Sequence, residues 1–219
     1  MHHLPSPMRF WTFAMLLISS IWLLSACDQS NDTWTDAYQM EFVDILTDSR
    51  GLPAYAVTDQ GDTLRIQNQF EKAAKADTVF RYVAVIVRQG DACRISSASK
   101  AFSPQPHKKN KDFATDPVHL QSIWRGSNYI NGIIQMPGKE LVHTMGFIDE
   151  GITTNAQGIR ILHLRLLHDN EGDVAAFSRT AYISCPLHQY ADTLIHRTDS
   201  IYFSVNESGV GNVTHALLY

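Results

Sequence analysis

The sequence predicts an all-β protein, a small OB-like barrel followed by an antiparallel β-sandwich. Short segments rich in β-branched and aromatic residues recur along the chain, as in 79–87. Polar and glycine-containing turns separate them, as at 59–62 and 170–173. Residues 162–166 alternate leucine with histidine or arginine, which is the period-2 pattern of a half-buried strand. Long helical patterns are scarce.

The first 26 residues read as a lipoprotein signal peptide. Arg9 precedes an apolar run over 10–24, and Leu24, Ser25 and Ala26 form a small-residue cleavage site before Cys27. This tetrapeptide matches the lipobox of bacterial lipoproteins, which implies cleavage before Cys27 and lipid attachment there, with palmitate among the acyl chains. The alternative is a cysteine in a transmembrane helix, but the run is shorter than the roughly 20 apolar residues of a span.

Charge and export indicate where such a protein works. The chain has 18 Lys plus Arg against 22 Asp plus Glu, a formal net charge of −4. Removing the signal with Arg9 makes the remainder slightly more acidic. Binding to nucleic acid requires clustered cations, so this balance argues against it. We expect a cell-envelope protein held at the outer membrane through Cys27, with the periplasmic and the surface face both open.

The N-terminal half is predicted as a tether followed by the barrel. Residues 27–37 carry the lipidated cysteine and a polar tether, and 38–102 form the OB-like domain. Its strands are expected at 40–46, 52–57, 63–66, 79–87 and 92–97. Residues 69–76 are expected to form a short helix or a loop.

The C-terminal half is predicted as a linker followed by the sandwich. Two prolines and a lysine run mark 103–118 as a linker or long loop. Its lysines suit either a solvated loop or a phosphate or lipid site. The sandwich is expected over 119–219. Its strands are expected at 128–136, 141–148, 159–167, 174–185, 200–205 and 213–219.

The candidates for a metal or cofactor are weak. The chain has ten histidines, but the pattern offers no local pair of zinc ligands, and we expect solvent-facing histidines on sandwich strands. The acidic segment 169–173 lacks the spacing of an EF-hand loop and reads as a polar hairpin turn. We therefore predict neither a metal nor a cofactor.

Catalytic patterns are absent from the sequence, while two aromatic residues are candidates for ligand contact. There is no nucleophile elbow and no phosphate loop, so no catalytic residue is predicted. Paired carboxylates remain open because the chain has many acids. Trp124 and Tyr129 could form an exposed platform for a sugar, and a buried sandwich tryptophan is the alternative.

Two cysteines remain beside Cys27. Cys93 and Cys185 lie in apolar, strand-like settings in what we interpret as different domains. Free cysteine behaves as a small buried hydrophobe, and export also permits a disulfide.

The chain also resembles the NigD-like lipoproteins of anaerobic gut and oral bacteria. The matching segments lie along the whole chain after the signal: 55–64, 81–84, 120–124, 128–131, His143, 161–173 and 199–203. The resemblance implies an N-terminal OB-like barrel and a C-terminal β-sandwich. It implies no activity and no catalytic residues.

These observations lead to three functional expectations. The first is a membrane-anchored, non-catalytic binding or assembly module with an envelope protein as partner. The second is a carbohydrate-binding surface lipoprotein. The third is a glycan or peptide hydrolase.

Overall fold

A computed structural model describes residues 37–71, 74–109 and 113–219. The predicted signal peptide, the lipobox with Cys27 and nearly all of the predicted tether lie outside the described residues. The described part holds one turn of 3-10 helix, His188–Tyr190, and otherwise strands and loops. Among these residues we find no helix long and apolar enough to cross a membrane.

Five strands close into a barrel in the order β1-β2-β3-β5-β4, with β4 pairing back onto β1. The pairing is antiparallel except between β3 and β5. The prediction of a small OB-like barrel is therefore confirmed. The described part of 69–76 contains no helix. The barrel strands are β1 (Gln39–Thr47), β2 (Pro53–Thr58), β3 (Thr63–Ile66), β4 (Val79–Gln89) and β5 (Ala92–Lys100).

Eight strands form two packed sheets, which confirms the predicted sandwich. One sheet has the order β13-β12-β10-β9-β6 and the other the order β11-β8-β7. The strands are β6 (His107–Lys108), β7 (His119–Arg125), β8 (Tyr129–Gly138), β9 (Thr144–Thr154), β10 (Arg160–Asp169), β11 (Phe177–Pro186), β12 (Ser200–Glu207) and β13 (Gly211–Leu218).

The sandwich differs from the sequence expectation in two respects. Strands β10 and β12 are parallel, as are β6 and β9, so the sheets are not wholly antiparallel. Strands β6 and β7 were not predicted. Strand β6 lies in the segment expected to be a linker or long loop, and none of the seven residues of β7 is fully buried, so its apolar signal is weak. The alternation along β10 is confirmed, since Leu162, Leu164 and Leu166 are buried in the core.

Each half has its own apolar core. Val43, Ile45 and Ile86 are among the buried residues that fill the barrel. Phe147 and Phe203 are fully buried in the sandwich, with their ring centroids 6.1 Å apart. Burying one such side chain contributes about 1.5–3 kcal/mol. Each half is therefore stabilised by its own apolar core. The contacts that join the two halves lie outside these cores.

The segment after β5 connects the barrel to the sandwich and is bonded to both. The Ala101 amide donates to the Arg81 carbonyl at 3.0 Å. The Phe102 amide donates to the Tyr182 carbonyl at 2.8 Å, and the Ser184 amide donates to the Phe102 carbonyl at 2.9 Å. Further along, β6 pairs with β9, and Lys108 forms an ion pair with Asp149 at 2.9 Å. Residues 101–109 therefore lie against the folded halves.

Candidate functional site

A buried arginine marks the junction between barrel and sandwich. Arg81 lies on β4, and only 4% of its side chain is exposed. Within the barrel its Nη2 donates to Asp59 Oδ1 at 2.6 Å and its Nη1 to Asp44 Oδ1 at 3.3 Å. Towards the sandwich its Nε donates to Ser184 Oγ at 3.0 Å and its Nη2 to Asn131 Oδ1 at 3.2 Å. One guanidinium thus binds partners from both halves.

The sandwich side chains also bind one another and the barrel. Ser184 Oγ donates to Asn131 Oδ1 at 2.7 Å, and Asn131 Nδ2 donates to Asp59 Oδ2 at 2.5 Å. The ring of Tyr129 lies 3.9 Å from the Arg81 Cζ, which is a cation–π contact. We call Asp44, Asp59, Arg81, Tyr129, Asn131 and Ser184 the junction network.

The junction network holds two carboxylates against one cation. Burial raises the pKa of Asp44 above its ordinary value, although the nearby Arg81 opposes this. Burial and the neighbouring Asp44 raise the pKa of Tyr129 to about 12, so its hydroxyl keeps its proton and donates to Asp44 Oδ2 at 3.3 Å. A buried ion pair loses hydration, and only good geometry with further hydrogen bonds offsets that cost. The network supplies both, so it aligns the two halves.

The larger of two recesses at this junction has a volume of about 400 Å³. It is bounded by the start of β4, the end of β5, the connecting segment and the end of β11. Tyr129 from β8 and His188 from the 3-10 turn complete it. Tyr129, a predicted ligand-contact residue, therefore lines a cavity. The guanidinium of Arg81 lies over its ring.

The smaller recess, of about 230 Å³, contains the other predicted residue, Trp124. Trp124 meets Phe42 of the barrel in a T-shaped contact with ring centroids 5.4 Å apart. Asp59 and Arg125 also line this recess. The structure thus places Trp124 and Tyr129 in different recesses, and they do not form the single platform considered from the sequence.

A second polar cluster was missed from the sequence. We expected solvent-facing histidines, but His168 is only 2% exposed and the side chain of His143 only 3%. His143 Nδ1 lies 2.9 Å from His168 Nε2, because pairing of β9 with β10 brings the two rings together. The expectation is wrong for this pair. No sequence signal joins residues that lie 25 positions apart on separate strands.

The hydrogen bonds of this cluster assign its protons. His168 Nδ1 lies 3.0 Å from the Asp116 carbonyl oxygen, which only accepts, so Nδ1 carries the hydrogen. Burial lowers the pKa of His168, so the ring is neutral and its Nε2 accepts from His143 Nδ1. At the other end Arg179 Nη2 donates to His143 Nε2 at 3.1 Å and to Asp173 Oδ2 at 2.9 Å.

Asp173 fixes the far end of the cluster. Its carboxylate accepts from the amides of Lys139 at 2.6 Å and Glu140 at 3.2 Å. Burial acts to raise the pKa of Asp173, but these amides and the Leu141 amide outweigh it and hold the pKa well below its ordinary value. The segment 169–173 is thus a polar turn whose carboxylate binds backbone amides.

The described residues also include two cysteines and many side chains of types that can bind a metal. No group of three or more His, Cys, Asp or Glu side chains in 37–71, 74–109 and 113–219 could hold a metal ion. Cys93 and Cys185 are free and buried, one in each core. Burial raises the pKa of Cys93 to about 11 and raises that of Cys185 as well.

Comparison with solved structures finds the same fold in proteins of Bacteroides species. A NigD-like immunity protein from Bacteroides caccae superposes with a TM-score of 0.67 at 22% identity, covering 82% of this chain and 92% of that one. A candidate lipoprotein from Bacteroides fragilis gives 0.58 at 13% identity, covering 83% of this chain and 98% of that one. At these identities the likeness shows the fold alone. No curated protein matches the chain.

The family assignment comes from the sandwich half. The family model of the NigD-like C-terminal beta sandwich domain matches residues 101–217. This range begins at the segment that connects the barrel to the sandwich and includes every sandwich strand except the last residue of β13. The chain therefore belongs to the NigD-like family.

Proposed function

We propose that this protein is a lipid-anchored cell-envelope protein that acts as a non-catalytic binding or assembly module. The observation that carries the proposal is the sequence Leu24-Ser25-Ala26-Cys27 directly after an apolar run. Several acyl chains on Cys27 would hold the protein durably, since each buried CH₂ contributes about 0.8 kcal/mol. The outer membrane is the proposed location.

The descriptions of two structural relatives support this proposal. The Bacteroides fragilis relative is described as a candidate lipoprotein, which agrees with an anchor at Cys27. The Bacteroides caccae relative is described as an immunity protein, which favours recognition of another molecule over chemistry. This chain shares their fold, and we propose that it shares the lipid anchor and the recognition role as well.

The junction between barrel and sandwich favours binding. The junction network aligns the two halves, and both recesses lie beside it. Pre-formed clefts between packed units are the usual place for ligand sites.

Hydrolysis has weaker support. The carboxylates that line the smaller recess, Glu41 and Asp59, are paired with Arg88 at 2.9 Å and Arg81 at 2.6 Å. Both carboxylates are therefore engaged by an arginine, whereas a glycosidase needs two carboxyl groups that face the scissile bond.

Anchoring is tested by labelling growing cells with an alkyne analogue of palmitate and recovering the tagged chain. We expect the wild type to carry the label and Cys27→Ser to lose it. Cys93→Ala and Cys185→Ala are matched controls that should keep the label. Label on Cys27→Ser, or none on the wild type, would refute the anchor.

The binding role is tested by crosslinking whole cells and identifying recovered partners by mass spectrometry. We expect one envelope protein to be enriched with the wild type and lost with Cys27→Ser, which cannot be anchored. Equal recovery with both chains would contradict an assembly role at the membrane.

Carbohydrate binding is the second candidate, because an aromatic side chain lines each recess. A glycan array would test it. If the smaller recess is the site, Trp124→Ala and Gln60→Ala should both reduce binding, while Tyr55→Ala on the exposed face of β2 should not. Silence on the array, or binding unchanged in both recess variants, would remove this recess from consideration.

A further inference from the structure

The larger recess has the size and position of a small-ligand site. Its volume of about 400 Å³ falls within the usual range of roughly 300–1,000 Å³ for ligand pockets. Its walls come from both halves of the protein, which the junction network holds in a fixed relation. The recess is therefore pre-formed and would not need to be ordered by a ligand.

The side chains that line this recess differ in charge from the chain as a whole. Arg81 and Lys100 line it, and its described lining residues include no carboxylate. The chain as a whole carries a formal net charge of −4. Because Asp59 and Asp44 neutralise Arg81, the available charge is that of Lys100.

Lys100 is free to turn towards a ligand. Its side chain is 59% exposed, and its nearest carboxylate is Glu71 at 3.9 Å. An exposed pair of this kind contributes about 0–1 kcal/mol, so little is lost when it opens. The ammonium lies 5.2 Å from the centre of the Phe80 ring, which also lines the recess.

The remaining walls combine apolar and polar surfaces. Phe80 and Tyr129 supply aromatic surface, and such rings pack against the C–H face of a sugar. Gln105 Nε2 lies 2.8 Å from His188 Nε2, and both side chains are exposed at the rim. An amide and an imidazole in this position can donate to and accept from hydroxyl groups.

We propose that the larger recess binds a carboxylated monosaccharide, a hexuronate, with its carboxylate on Lys100 and its ring against Phe80 and Tyr129. Gln105 and His188 then contact the hydroxyl groups. The proposal rests on the proposed binding function and names its ligand class. It does not depend on the anchor, so palmitate labelling and ligand binding can fail separately.

The test is to titrate the detergent-extracted full-length protein with each probe. Binding is measured by isothermal titration calorimetry and by saturation-transfer NMR. The probes are glucuronate, glucose and inorganic phosphate. Glucose has the same ring without the carboxylate, and phosphate is an anion without the ring. We expect glucuronate to bind at least tenfold more tightly than either.

Variants locate the site. Lys100→Gln should weaken glucuronate binding at least tenfold, and Gln105→Ala should weaken it about threefold or more. Lys139→Gln is the matched control, since Lys139 is similarly exposed on the loop after β8 and does not line the recess. All three positions are at the surface, and their thermal unfolding should match the wild type.

Four results would overturn the proposal. They are no glucuronate binding at 50 mM, equal binding of glucose, equal binding of phosphate, and unchanged affinity in a folded Lys100→Gln variant. If crosslinking recovers a partner but glucuronate does not bind, the proposed binding function is supported and the hexuronate proposal is refuted.

Discussion

Arg81 of the barrel donates to Ser184 of the sandwich at 3.0 Å, although the two residues are 103 positions apart in the chain. The bond is buried, and the same guanidinium binds Asp44 and Asp59. The contact between the halves therefore depends on a charged group that is neutralised within the barrel itself. Its removal affects the barrel and the junction together.

We expect Arg81→Met to lower the free energy of unfolding by about 3–5 kcal/mol, because it leaves two carboxylates partly buried without their cation. Urea unfolding followed by fluorescence measures this. The matched control is Arg50→Met, since Arg50 is 75% exposed and binds only Asp48. It should change stability by about 1 kcal/mol or less. Similar losses in both variants would contradict a structural role for the junction network.

The two carboxylates of the network should respond in opposite directions. The raised pKa of Asp44 means that its charged form is disfavoured in the folded protein. Asp44→Asn should therefore leave the free energy of unfolding at pH 7 unchanged or raise it. Both oxygens of Asp59 accept, one from Arg81 at 2.6 Å and one from Asn131 at 2.5 Å. Asp59→Asn replaces one of these acceptors with a donor NH₂ group and removes the charge that pairs with Arg81, which should cost about 1–3 kcal/mol. Urea unfolding of both variants checks this, and a larger loss for Asp44→Asn would refute it.

His168 should make stability depend on pH. The pKa of His168 is lower in the folded protein than its ordinary value of 6.5, so the unfolded chain binds the proton more readily. The free energy of unfolding should then fall as the pH drops below about 6.5, by up to about 1.4 kcal/mol per unit. The groups that face the pair are Asp116, Asp173 and Arg179.

Chemical unfolding of His168→Asn between pH 7.5 and 5 checks this dependence. The asparagine amide can still donate to the Asp116 carbonyl, so the variant should fold and show a flatter pH profile. His163→Asn, on the outer face of the same strand, should keep the wild-type profile. Equal slopes in the wild type and His168→Asn would show that His168 does not gain a proton on unfolding in this range.

Cys93 and Cys185 should be unreactive thiols in the folded protein. Both are buried, and the raised pKa of each keeps the nucleophilic thiolate scarce. Titration of a Cys27→Ser variant with a disulfide reagent should detect neither thiol in the native protein and both in urea. Fewer than two thiols in urea without reductant would indicate a disulfide and contradict the free thiols of the structure.

Much of the fold could be predicted because its signals are local. The alternation in 162–166 and the turns at 59–62 and 170–173 depend only on neighbouring residues. The parallel pairing of β10 with β12 could not be predicted, because β11 in the other sheet lies between them in sequence. Register between distant strands is a tertiary property.

The candidate site was predicted only in part. Tyr129 and Trp124 were identified by residue type, but their separation into two recesses depends on how the barrel packs. Arg81 had a readable signal, a single charge inside the apolar strand 79–87, which marks a buried cation in need of partners. The sequence carries no such signal for the His143–His168 pair.

The distribution of charge in the junction network bears on how such proteins can recombine. The barrel contributes the cation and both carboxylates, and the sandwich contributes only the neutral Tyr129, Asn131 and Ser184. A chimaera that joins this barrel to the sandwich of another protein must therefore supply neutral acceptors for Arg81 and neutral donors to Asp44 and Asp59. It needs no compensating charge. Sandwich halves can thus be exchanged without any new charge at the junction, and the lining residues outside the network, such as His188 and Trp124, are free to differ.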